Sequence, residues 1–158
     1  MSRTAAPRPL GVPASDRRSV TSARRWLWGV WIGVSLGLAG QLVDLDWHAQ
    51  HGSFRTASDV FQAHWLTWLG VALTIGVGIA GARSHAGSRS GFGYIALAAG
   101  INAVAHAWNA YEHISGAKEP IVPHVLLAVS GAGILVASFY TVHLLFGRSE
   151  HSGFFKGK

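Results

Sequence analysis

Four apolar segments of membrane-spanning length, joined by short loops, predict an all-α integral membrane protein built as an antiparallel four-helix bundle. The composition agrees, with 49% hydrophobic and 13% charged residues, seven Trp and a mean hydropathy of +0.28 in 158 residues. An ordinary soluble domain is more polar. The basic residues are also segregated: eleven of the thirteen Lys and Arg fall in the N-terminal tail, the middle loop and the C-terminal tail, leaving only Arg55 and Lys118 elsewhere. Because Lys and Arg are retained on the cytoplasmic side, this places both termini in the cytoplasm of a multi-pass protein of the plasma (inner) membrane. The net charge of +6 then reads as a topology signal and an attraction to anionic lipid, with no nucleic-acid partner.

Residues 1–23, rich in Arg, Ser and Ala, are expected to form a disordered basic cytoplasmic tail. A competing reading takes Arg24-Arg25 as part of a twin-arginine export signal, but the apolar stretch that follows is long for one. The transmembrane domain is expected over residues 24–147, followed by a short cytoplasmic tail at 148–158.

The first span, Trp26 to Leu45, carries Gly29, Gly33 and Gly37 at intervals of four, a stripe that lets a neighbouring helix approach closely. The same face continues outward through Gln41, Asp44 and His48, so these polar groups are expected to point into the bundle. The second span, Asp59 to Ala82, places His64, Thr67, Val71, Thr74 and Gly78 on one face, with Asp59 and Gln62 reading as a helix cap and capping box. In the third, Gly91 to Glu112, residues Asn102, His106, Asn109 and His113 form one polar stripe that hydrocarbon would not tolerate. Glu112 lies about 100° from that stripe and is expected to point away from the core. The fourth, Ile121 to Phe146, is assigned an inward face of His124, Ala128, Gly131, Leu135 and Ser138, with Glu119 before Pro120 as its cap.

Asp44-x3-His48 followed by Asp59-x4-His64 is echoed by Asn109-x3-His113 followed by Glu119-x4-His124. Two readings fit: a duplicated helical hairpin with its pseudo-twofold axis along the membrane normal, or chance matches over short segments.

Six of the nine histidines and five of the seven carboxylates fall at the predicted outer ends of the spans. Polar side chains are costly in a membrane and tend to be kept for function, so Asp44, His48, His64, His106, His113 and His124 are the candidate metal ligands. Imidazole with carboxylate suits copper, iron or zinc, and the absence of Cys, with Met1 the only Met, disfavours a soft-sulfur Cu(I) carrier. The competing account is that these histidines hydrogen bond between helices and that Asp59 and Glu119 cap them. His51 is expected in a loop, His85 and His151 in the cytoplasm, and His143 as a structural hydrogen-bonder; the Trp residues read as interface anchors.

Asp44-x3-His48 with the later helix-borne His64 resembles the Asp/His/His copper site of the membrane-bound methane and ammonia monooxygenases. The likeness covers about 21 residues of 158, and here the gap to the last His is longer and crosses an interhelical loop. The resemblance implies a copper site with Asp44, His48 and His64 as ligands.

The function expected from these features is an extracytoplasmic metal centre, copper or iron before zinc, in a metal-dependent membrane oxidoreductase working with a redox partner or as a homo-oligomer. Two alternatives stand beside it: a haem-binding, cytochrome-like protein with paired imidazoles, and a non-catalytic accessory protein whose polar stripe fixes helix register. A permease would need polar groups along the whole path, which the inner halves of the spans lack.

Overall fold

The computed structural model describes residues 14–52, 54, 56–84, 91–115 and 121–146. Its elements are four helices in sequence, α1 (Ala14–His51), α2 (Ala57–Arg83), α3 (Phe92–Ser115) and α4 (Ile121–Phe146), packed as the expected all-α bundle. Each helix packs chiefly on its neighbours in sequence, while α1 and α4 touch only sparsely. A twofold relating the two hairpins would make the α2·α3 and α1·α4 pairs equivalent, and they are not. The packing therefore does not express the internal repeat.

The 38 residues of α1 span about 57 Å at 1.5 Å per residue, well beyond a hydrocarbon layer of roughly 30 Å. It starts at Ala14, inside the stretch read as a tail, and Ala23 is fully buried. Asp59 proves to be the third helical residue of α2 and not its cap. Thr56 caps, its hydroxyl accepting from the Asp59 N–H at 3.2 Å while the Asp59 carboxylate accepts the Thr56 N–H at 2.9 Å. The cap expected at Glu119 lies outside the described residues.

The glycine stripe works through its partners. A side chain on Gly33 would run into Gly70 and Thr74 of α2 and one on Gly29 into Val77, while one on Gly37 would meet nothing within 4 Å; Gly40, outside the expected stripe, adds a close approach to Thr67. The α1·α2 crossing is thus a backbone-to-backbone contact, the arrangement small residues permit in membranes.

On α2 and α3 polar groups face inward and apolar groups outward, whereas on α1 Gln41 is exposed and Asp44 and His48 are half-buried. On α3, Asn102, His106 and Asn109 are buried, whereas Tyr94, Leu97, Ile101, Val104, Tyr111 and Ile114 are exposed along the opposite face. On α2 the whole expected face from His64 to Gly78 is buried. Three helices, α1 from Thr21, α2 and α4 to Leu145, are long and apolar enough to cross a membrane. The buried polar stripe keeps α3 outside that group.

On α4 the expected inward face holds in part: Ser138 is fully buried, and Ala128, Gly131 and Leu135 line a cavity between the helices. His124, Ala128 and Leu135 are exposed, and the buried positions are Pro123, Ser130, Ile134, Ala137, Ser138 and Thr141. The buried side carries the small polar residues of this helix, Ser130, Ser138 and Thr141, and the Asn102 amide of α3 donates to Ser130 Oγ at 2.9 Å and to the Leu127 carbonyl at 3.3 Å.

Two apolar cores result. The larger gathers Leu27, Val30, Phe92, Ile95, Ile134 and Ala137 at the end carrying Arg24, Arg25 and Arg83; the smaller gathers Phe54, Val60 and Ala63 at the histidine end.

Candidate metal centre

Asp44 sits at the centre of the histidine end. The His48 Nε2 lies 3.6 Å and the His64 Nε2 3.5 Å from the same carboxylate oxygen, Oδ1, which is buried and has no hydrogen-bond partner among the described residues. Helix geometry accounts for the first contact, since Asp44 and His48 are one turn apart on α1. The close glycine crossing accounts for the second, by bringing α2 near enough for His64 to reach across.

The far nitrogens fix the rings. His48 Nδ1 is 2.6 Å from the Gly52 carbonyl and His64 Nδ1 is 2.9 Å from the Val60 carbonyl. A carbonyl only accepts, so each Nδ1 carries its proton and donates it. In a neutral imidazole the Nε2 lone pair then faces Oδ1, leaving two nitrogen lone pairs and a carboxylate oxygen aimed at one another. A metal ion held between them would relieve that repulsion, as would a shared proton. Gly52 adopts a positive φ of 77°, which turns its carbonyl back toward His48.

Phe54 holds the rings together. Buried at 9% exposure in the α1–α2 connection, it contacts His48 at 4.5 Å, His113 at 4.9 Å and His64 at 5.3 Å between ring centroids, and stacks on Trp47 at 4.5 Å. His113 of α3 is thereby brought within 6.0 Å of the His48 ring. Three of the four predicted imidazoles therefore surround one phenyl group. The fourth, His124, is exposed on the first turn of α4. His106 lies deeper, its ring 5.9 Å from that of Trp68 on α2. Among the described residues, no group of three or more His, Cys, Asp or Glu side chains stands ready to hold a metal ion as placed.

His51 is the last residue of α1, not a loop residue, and stacks on Trp47 at 4.7 Å. His143 is exposed in the last turn of α4, while His85 and His151 lie outside the described residues. Glu112 reverses the expectation that it points outward: it is 6% exposed, and Trp108 Nε1–H donates to its Oε1. The expectation failed because α3 packs on both α2 and α4, so its buried arc is wider than a single stripe. The Trp108-x3-Glu112 spacing is the signal that could have found this pair. For Phe54, the corresponding signal is a lone large apolar residue in an otherwise polar connection.

Beneath the cluster, Gln41 Nε2 approaches Thr67 Oγ1 at 3.4 Å. Below that layer lies a cavity of about 310 Å³ walled by all four helices, with His106, Asn102 and Thr74 among its polar lining. Comparison with known proteins adds no relative: no family model, no curated protein and no solved structure matches this chain.

Proposed function

We propose that this chain is an integral membrane protein that binds one redox-active transition-metal ion, copper or iron, through Asp44, His48 and His64. The site would lie on the face of the membrane opposite the basic tails, and the metal would serve oxidation or reduction of a lipid-soluble partner. The single observation that carries this is the pair of anchored imidazoles whose Nε2 atoms converge on an orphaned carboxylate oxygen. Ligands at 2.0–2.2 Å from one tetrahedral ion stand roughly 3.3–3.6 Å apart, and both Asp44-to-imidazole separations fit that spacing. Backbone carbonyls that orient the far ring nitrogen are the usual support of metal-bound histidine. His48 is about a third exposed, so the site is open on that side. The exposed apolar face of α3 supports reading it as a fourth span, and the exposed Arg24, Arg25 and Arg83 at the opposite end support cytoplasmic termini.

The test is metal analysis with a visible spectrum on protein purified in detergent from copper- and iron-replete cells. One ion per chain is expected, lost in Asp44→Asn and in His64→Ala and kept in His143→Ala; Asp44→Asn is nearly isosteric, so its loss of metal is separable from misfolding. A Soret band would move the assignment to haem. Protein without metal or pigment would leave an imidazolium–carboxylate cluster fixing helix register. Because the chain has no Cys, single cysteines placed at Gly52 and Arg83 report topology by impermeant-reagent labelling, with only the first reactive from outside.

A further inference from the structure

We propose that the cavity between α1 and α4 binds an uncharged, lipid-soluble molecule bearing one hydroxyl or carbonyl group, which His106 recognises. At about 310 Å³ the cavity has room equivalent to about ten water molecules, at the lower end of the range for small-molecule sites. Its mouth lies where α1 and α4 part. Trp31 and Phe139 close these two helices edge-to-face at 5.7 Å nearer the basic end, while Leu38 and Leu135 line the cavity and are exposed on the outer surface. A ligand would therefore enter sideways, from hydrocarbon.

The lining states what that ligand is. It holds no Lys, Arg, Asp or Glu, so a charged guest would be desolvated without compensation. Most of its polar groups are already engaged: Thr74 donates to the Gly70 carbonyl at 2.8 Å, Asn102 donates to α4, and Gln41 donates to Thr67. His106 is the exception. It is 6% exposed, yet neither ring nitrogen makes a hydrogen bond among the described residues. A neutral imidazole offers one donor and one acceptor, which a hydroxyl can satisfy in either sense and a carbonyl in one. Room is supplied by Gly37 and Gly131, where an added Cβ would meet nothing within 4 Å. Asp44, His48 and His64 are not among the lining residues, so the site does not depend on metal.

Thermal shift of the purified protein in detergent, titrated with 4-propylphenol and with propylbenzene, tests this. The phenol is expected to bind about tenfold more tightly, the worth of one buried hydrogen bond. His106→Leu should erase that difference, His106→Gln should retain it, and Gly131→Leu should abolish binding of both probes by filling the space without a backbone collision. Asp44→Asn should leave both affinities unchanged. Equal binding of the two probes by the wild-type protein would overturn the proposal in favour of an acyl-chain groove. Unaltered phenol binding by Gly131→Leu would place the phenol elsewhere and overturn it too, whether or not His106→Leu folds.

Discussion

Gly70→Ala and Gly37→Ala change facing glycines of one helix crossing, and the structure assigns them opposite outcomes. A Cβ on Gly70 would lie 2.6 Å from the Gly33 carbonyl oxygen and 2.8 Å from the Gly37 Cα. Carbon atoms pack at about 3.5–4.0 Å, so α1 and α2 would have to separate by roughly 1 Å. Neither obstacle is a side chain that can rotate away. Overpacking of this kind costs about 1–3 kcal/mol, and rigid backbone on the far side puts Gly70→Ala toward the upper end. On soluble-domain scaling that is a fall in Tm of roughly 2–12 °C. A Cβ on Gly37, by contrast, meets nothing within 4 Å because it projects toward the cavity. Alanine also exceeds glycine in helix propensity by about 1 kcal/mol in water, so Gly37→Ala should be neutral or slightly stabilising. Thermal unfolding in detergent, followed by tryptophan fluorescence, measures both variants. If Gly37→Ala lost as much stability as Gly70→Ala, α1 would be presenting a different face to α2, and the route by which His64 reaches Asp44 would fail with it.

Three other changes probe separate parts of the molecule. Asn102→Leu removes the two bonds from α3 to α4 and should cost about 0.6–1.7 kcal/mol, the range for such contacts within membranes, read as a lower Tm. Thr56→Ala deletes the α2 cap and should cost about 1 kcal/mol in the same assay, while Thr56→Ser should restore most of it. Phe54→Ala opens the space between His48, His64 and His113; it should destabilise by about 3 kcal/mol or somewhat less, given the position of Phe54 in a connection, and should speed diethyl pyrocarbonate modification of His64, which is only 3% exposed. Unchanged His64 reactivity would show that Phe54 does not shield it.

What could be read from the order of residues was the set of polar groups that had to be hidden. Asn102, His106 and Asn109 on α3, and the His64-to-Gly78 face of α2, were legible because a polar atom in an apolar helix has only one direction in which to find a partner. Asp44 and His48 were legible as one turn of one helix. The face of α4 was legible only in part: Ser138 marked it, but Ser130 and Thr141, buried on the same side, were passed over, and the bond from the Asn102 amide to Ser130 comes from another helix. Glu112 and Phe54 were misjudged or missed because their burial depends on what packs beside them. The same holds for the meeting of His64 with Asp44, for the exposure of His124, and for the cavity. Each depends on how closely two backbones approach, a distance set jointly by facing residues such as Gly33 and Gly70 and recorded in neither helix alone.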